Sequence, residues 1–421
     1  MSWKKTTLLI SLGVLLVIGA ILDAVFLQDI IVTPGDESDE QDIDPNSLDD
    51  RMIWSRRFDM GNHYFSKMMT KQGSQLLLLT NAALGDYLDE DEPSYRLTRI
   101  DTDGNEIEHT LFGGEDDHVS DMEVDDSGIH YCGQMEGSQI WKNDPYGEML
   151  WNHTLTDPDE IGIYDVEVLH HFIYAIGVFD IYGDEETIIM KLSMEGDLMW
   201  NISYQFENGS RDSYHWETIS EVIVTSDGFY LAGYVEAFDG RRERESSFLA
   251  FFDRLGNEVW KKEYDNTLKR SDEPNFRFNG MELLNDHIFI SGWTDGPIPG
   301  YEDIEDDVIF IAKMDLLGNP LWWKVVTRNE KAGIRDMETD GDRLYILLGE
   351  FNRMGDGYLH TILSNGTIAS EMVIDSGYQD HMDSIVIAGD HIFLSGTSRG
   401  DFQGDITDQY LKPFVMKISN L

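Results

Sequence analysis

Cysteine occurs once in these 421 residues, at Cys132, so no disulfide can form within the chain and no cysteine cluster can hold a metal. Its setting, IHYCG, is a strand pattern, which places the thiol in a core as an inert group rather than a nucleophile. Basic residues are scarce too: 31 Lys and Arg against 80 Asp and Glu leave a net charge of −49. Such a surface repels phosphate backbones, which argues against nucleic acid as a partner and favours cationic groups and divalent ions. Helical periodicity is missing after residue 50. So are GxSxG, a Walker loop and HExxH, which removes the common signatures of serine hydrolases, nucleotide-binding loops and zinc peptidases. His170-His171 begins a strand, and His287 and His391 each follow an Asp at a turn, places where histidine usually serves structure.

One long apolar run is present. Lys4-Lys5 precede an uncharged stretch from Thr6 to Leu22, extendable to Leu27, in which 14 residues are Leu, Ile, Val or Phe. Their insertion energies outweigh the single off-centre Asp23, so the segment is expected to enter a bilayer. The exit Ile21-Leu22-Asp23-Ala24 is a poor signal-peptidase site, and the length suits a span. Residues 1–27 are therefore expected to form an uncleaved anchor, with membrane contact through residues 6–27 and the remainder extracellular; cleavage would make the protein secreted. Residues 28–50, acidic and carrying Pro, Gly and Ser, read as a disordered linker. Four Asn-x-Ser/Thr sequons, beginning at Asn152, Asn201, Asn208 and Asn365, are compatible with export.

The rest of the chain repeats one hairpin. DRLGNEVW (253–260), DLLGNPLW (315–322) and SMEGDLMW (193–200) are sisters, and NDPYGEMLW closes on Trp151. DTDGNEIE (101–108) puts Glu108, and SNGTIAS (364–370) puts Ser370, where the others have tryptophan. Upstream of each turn lies an apolar strand, and before that a strand ending in Gly, as at Gly133, Gly177, Gly233, Gly292, Gly349 and Gly396. With one more strand in front, each unit holds four short strands, the signature of a propeller blade. The turn glycines 104, 147, 196, 256, 318 and 366 stand about 52 residues apart on average, so 51–421 accommodates about seven units. The chain ends on PFVMKISNL, a third strand with no fourth, and the folded part begins with RMIWSRRFD, a fourth strand with no third. Joined, they complete one blade and close the ring, leaving no raw edge. The expected fold is all-β, a monomeric seven-bladed β-propeller over residues 51–421, with Trp54, Trp151, Trp200, Trp260 and Trp322 packed between neighbouring blades. DTDGNEIE also fits the acid spacing of a calcium loop, but its sister turns drop the acids and keep the bend, so it reads as a hairpin.

TSDGFYLAGY (225–234) followed by SFLAFFDRLGNEVW (247–260) resembles the repeats of exported archaeal and bacterial β-propeller proteins, in the style of pyrroloquinoline-quinone-type tryptophan-docking repeats. The resemblance implies blades, not a chemistry. Quinone dehydrogenases of that style use a vicinal cysteine pair, which a chain with one cysteine lacks.

Counted back from the Gly that ends each second strand, the innermost strands read SKM, DME, DVE, SEV, GME, DME and DSI. Ser66, Asp121, Asp165, Ser220, Gly280, Asp336 and Asp383 then form one tier, and Met68, Glu123, Glu167, Val222, Glu282, Glu338 and Ile385 the next. Eight carboxylates, Asp121, Glu123, Asp165, Glu167, Glu282, Asp336, Glu338 and Asp383, are candidate ligands for Ca²⁺ or another divalent cation. The alternative is a wet channel in which the same groups hold loop N–H groups and waters. Acidic loops (85–94, 113–118, 180–186, 301–307 and 400–408) fall after second or fourth strands, hence on one face. The resulting expectation is a membrane-anchored binding or scaffold module presenting an acidic face to a protein or glycan ligand; a hydrolase or lyase using channel carboxylates is the alternative.

Overall fold

A computed structural model describes residues 51–419 except 59–63, 83–92, 115–116, 135–136, 156–160, 170, 182–183, 206–213, 239–242, 265–274, 305, 328–331, 351–354, 401 and 403–410. The expected anchor and linker, residues 1–50, lie outside the described residues. Among those described, no helix is long and apolar enough to cross a membrane.

Among the described residues, twenty-eight strands make seven antiparallel four-stranded blades. In chain order these are β2–β5 (64–112), β6–β9 (118–154), β10–β13 (161–204), β14–β17 (214–264), β18–β21 (276–327) and β22–β25 (332–374). The seventh joins β26–β28 (380–419) to β1 (Met52–Arg57). There β1 pairs antiparallel with β28 (Lys412–Ser419), Trp54 facing Lys417, so both ends of the folded region close one blade as the two fragments implied. The inner strands are β2 (Tyr64–Gln72), β6 (His118–Asp125), β10 (Ile161–Leu169), β14 (Tyr214–Val224), β18 (Phe276–Leu284), β22 (Ala332–Thr339) and β26 (Asp380–Ala388). Each contacts the next, and β26 returns to β2. A single parallel bridge, Asp184 to His215, also links blades three and four.

The hairpin glycine does two jobs. Its φ is positive, +72° to +93° in the six turns, which the bend requires. In five of the six its bare Cα also receives the tryptophan of the preceding blade. A Cβ on Gly104 would lie 2.9 Å from Trp54, and one on Gly196 would lie 2.6 Å from Trp151. Gly256 meets Trp200, Gly318 meets Trp260 and Gly366 meets Trp322 in the same way. The two departures have local causes. Blade seven has no hairpin between its outer strands, so Ser370 of blade six has no turn glycine to receive a tryptophan. In blade one, Glu108 binds the Arg99 guanidinium at 3.0 Å, and Arg99 reaches the Pro145 carbonyl in the next blade's turn. A charged clamp replaces an aromatic dock.

The turn at Asp101 is a hairpin turn. Asp101 Oδ1 accepts from the backbone N–H groups of Asp103 (2.9 Å) and Asn105 (2.8 Å), and Asn105 Nδ2 donates to Oδ2 at 3.0 Å. Asp253 and Asp315 are held alike by Asn257 and Asn319. Those hydrogen bonds, the Asn side chain's first, hold all three carboxyls below their usual range. The hairpin's own donors occupy the oxygens that a calcium loop would offer.

Candidate functional site: a carboxylate-lined channel

Every inner strand carries a β-bulge at the same level, between Ser66/Met68, Val119/Asp121, Ile163/Asp165, Ile219/Glu221, Phe278/Gly280, Ile334/Asp336 and Met382/Ser384. The bulge explains the glycine that ends the second strand. It thrusts a carbonyl at the neighbouring backbone: a Cβ on Gly133 would lie 1.9 Å from the His118 oxygen, and Gly177, Gly233, Gly292 and Gly396 face the same approach at 2.1–2.2 Å.

The bulge also corrects the tiers read from the sequence. The residues beyond it that share one level are Met68, Asp121, Asp165, Glu221, Gly280, Asp336 and Ser384. Asp121, Glu123, Asp165, Glu167, Glu282, Asp336 and Glu338 therefore stand where expected, on the channel side of their strands. Asp383 does not. It is the bulged residue of blade seven, and the charge it interacts with is that of Arg335, the bulged residue of blade six. Ser220 is likewise a bulge residue, donating to the Phe278 carbonyl at 2.6 Å, and its tier position belongs to Glu221, which the sequence reading passed over. A bulge consumes one extra residue, so a fixed count slips wherever the marker glycine shifts. The signal was available: Asp121, Asp165, Gly280 and Glu221 each lie twelve residues before their glycine.

The upper-tier aspartates have a structural task. Asp121 Oδ2 accepts the Val166 N–H of the next blade at 3.0 Å. Asp336 Oδ2 accepts Ile385 N–H at 2.8 Å and the Ser384 hydroxyl at 3.0 Å. Asp165 takes the Val222 N–H in the same manner. Each carboxylate thus ties its blade to its neighbour. The second-tier glutamates Glu123 and Glu282 have only the following residue's N–H as a backbone donor, which leaves oxygens toward the channel.

Crowding makes these groups hold protons. Burial lifts Glu123 to about 8, helped by Asp121 and by Glu338 from across the ring. Burial lifts Glu282 to about 8 as well, with Glu338 and Asp336 adding to it. Glu338 rises to about 7 through burial and Asp336, against the pull of Lys71, and Asp336 rises to about 6 through burial, against the N–H of Ile385. Asp165, Glu167 and Glu221 are pushed well above the carboxylate range, burial again leading. Burial pushes both Asp165 and Asp121 up, and the contact between their side chains pushes Asp165 further up while drawing Asp121 down. Behind them Cys132 is buried and its thiol is pushed well up, so it is inert as its strand setting implied. A cavity of about 250 Å³ opens onto this wall, lined by Asp121, Glu123, Tyr164, Asp165, Glu167 and Glu221 among others. Among the described residues, no three His, Cys, Asp or Glu side chains converge as a ready cation cage. Much of the acidic loop face (85–92, 182–183 and 403–408) lies outside the described residues.

No protein-family model matches this sequence, and no curated protein matches it either. Solved structures similar to it share the fold. The polysaccharide lyase Uly1 superposes with a TM-score of 0.54 at 9% identity, over 88% of this chain and 99% of that one. An ulvan lyase of polysaccharide lyase family PL25, solved bound to -[GlcA(1-4)Rha3S]-, gives 0.54 at 10% identity, over 87% and 96%. A prolyl endopeptidase gives 0.50 at 11% identity over 90% of this chain, which spans 49% of that enzyme. At such identities the likeness establishes the propeller and leaves chemistry to the site.

Proposed function

We propose that this chain is a membrane-anchored extracellular propeller that binds a partner through its acidic loop face and channel mouth, the partner being a protein or glycan offering cationic groups. The observation that carries this reading is the acidity of the channel wall, with Asp–Glu pairs in blades two, three and six, Glu221 in blade four and Glu282 in blade five, and Lys67 and Lys71 as nearby cations. The descent from exported tryptophan-docking repeats belongs to the same proposal, and the five Trp–Gly docks support it.

The second reading is a hydrolase or lyase. It is favoured by the Asp121–Asp165 pair, two buried carboxyls whose interaction pushes Asp165 up and draws Asp121 down, an asymmetry that general acid–base chemistry can use, and by two polysaccharide lyases among the structural neighbours. Against it, a uronate- and sulfate-bearing chain such as the ligand of the ulvan lyase would meet carboxyl groups here, and among the described residues the channel wall offers it no row of cations. Purified full-length protein should bind an oligolysine probe with salt-sensitive affinity that rises with pH as the channel carboxyls release their protons and that falls about tenfold in Glu167→Gln/Glu282→Gln. It should neither retain nor cleave a uronic-acid polysaccharide. Cleavage that is lost in Asp165→Asn would replace the binding reading with the lyase reading, and oligolysine binding indifferent to the Gln substitutions would remove the channel as the contact.

A further inference from the structure

One row of side chains crosses strands two, three and four of every blade. In four blades it holds an aromatic or imidazole ring, a lysine and the docking tryptophan: His130, Lys142 and Trp151; Tyr174, Lys191 and Trp200; Phe289, Lys313 and Trp322; Phe393, Lys417 and Trp54. In three of these the ammonium lies over the ring. Lys191 Nζ is 5.0 Å from the Tyr174 centroid, Lys313 Nζ is 5.4 Å from that of Phe289, and Lys417 Nζ is 5.5 Å from that of Phe393. Lys313 then donates to the Ser364 carbonyl at 3.0 Å, and Lys417 to the Thr102 carbonyl at 3.1 Å, both in the next blade's turn. Three blades thus keep a primary ammonium against an aromatic ring in the row of the docking tryptophan, and two of them also tie it to the next blade's turn.

Blade four breaks the row. Its members are Tyr230, Phe251 and Trp260, with a third ring in the lysine's place. The ring centroids stand 4.6 Å (Tyr230–Phe251), 6.1 Å (Tyr230–Trp260) and 6.4 Å (Phe251–Trp260) apart. A pocket of about 560 Å³ opens over them, and its rim carries Asp227 and Asp286. Asp227 acts on the Tyr230 hydroxyl, which burial and then this charge push up. Its other neighbour, Arg254 at 3.5 Å, is an exposed ion pair of little strength. Asp286 and Asn285 are the two non-glycine residues with positive φ among those described, +57° and +51°, so a fixed turn holds the second carboxylate at the rim.

We propose that the pocket between blades four and five binds an alkylammonium group. The cluster of three rings, the two carboxylates and the lack of an internal lysine define its chemistry, and in four sister blades an ammonium-bearing lysine stands at the row position that Phe251 takes here. The site lies at the hairpin turns, on the face opposite the loops of the proposed channel function, and stands independently of it. The group could be carried by a free amine or by a lysine side chain of a partner protein; both present the same head.

Calorimetric titration of the full-length protein with choline and with n-butylammonium should show saturable binding, and 3,3-dimethyl-1-butanol, the uncharged isostere of choline, should bind at least about tenfold more weakly than choline. Phe251→Lys supplies the ammonium of the sister blades and should abolish binding with the thermal midpoint kept. Asp227→Asn/Asp286→Asn, on the exposed rim where folding is not at risk, should weaken binding about tenfold, since the ring faces alone hold a cation less well. A lysine-containing peptide binding more tightly than its norleucine counterpart and than n-butylammonium would give the site to a protein partner; equal affinity for peptide and amine would give it to a free amine. No saturable binding, equal binding of the neutral isostere, or rim variants that bind as well as wild type would each overturn the proposal.

Discussion

Trp151 and Gly196 belong to different blades and fit each other closely: a Cβ on Gly196 would stand 2.6 Å from Trp151 Cε3, while Trp151 Nε1 donates to the Met194 carbonyl at 3.0 Å. The contact ties the outer strand of blade two to the turn of blade three. The approach of indole to turn glycine recurs at four other blade junctions and gives the repeated hairpin its purpose, because it fixes the outer rim as the bulge–glycine contact fixes the inner one.

Gly196→Ala should therefore destabilise the protein twice over, through a side chain at φ +85° and through overpacking against the indole, for a loss on the order of 2–4 kcal/mol in chemical unfolding. Gly341→Ala is the control: it has φ +94° and nothing near its Cβ, so it should lose only the backbone part, about 1 kcal/mol. Equal losses at the two sites would mean that the dock contributes nothing.

The period of the turns, the alternation of strands and the two orphan end strands were legible because each follows from local chemistry: glycine at positive φ, apolar residues at spacing two, an edge that must be covered. The absence of tryptophan at Ser370 was visible but had no meaning until blade seven was seen to lack the receiving turn. Asp383 and Glu221 were misplaced because a bulge leaves no mark of its own in a one-residue count. The row containing Phe251 was likewise readable letter by letter, since a lysine stands at the matching place in four sister strands, but its significance lies in cross-strand neighbours 21 and 9 residues apart that only the register supplies.

Acidity should stabilise this protein. A carboxyl whose folded-state pKa is raised holds a proton that the unfolded chain releases, so its contribution is complete below the ordinary value of 4.5 and is lost as pH rises to the folded value, about 7 for Glu338 and about 8 for Glu123 and Glu282. The thermal midpoint is expected to fall steadily between pH 5 and pH 8.5. Glu123→Gln/Glu282→Gln should flatten that slope and leave the protein more stable at pH 8.5, by on the order of 1 kcal/mol per residue once water in the channel is allowed for. A slope unchanged by the substitutions would place the proton uptake elsewhere.

The cation expected from the sequence is tested by calcium itself. If the second-tier glutamates of blades two and six, which feel each other across the ring, take up Ca²⁺ or a similar hard ion, the ion binds only the folded state and raises its stability by RT ln(1 + [L]/Kd). At a hundredfold excess over Kd that amounts to about 2.7 kcal/mol. Binding must displace the protons these groups hold, so the gain should be larger at pH 8.5 than at pH 6. Screening of a −49 surface by any divalent ion also raises the midpoint, but screening neither saturates at a fixed stoichiometry nor depends on two residues. Glu123→Gln/Glu338→Gln keeps the shape of the wall and nearly all the surface charge. A calcium gain that disappears in this variant assigns the ion to the channel, and an equal gain in both proteins leaves the channel as a proton-holding wall that ties the blades together.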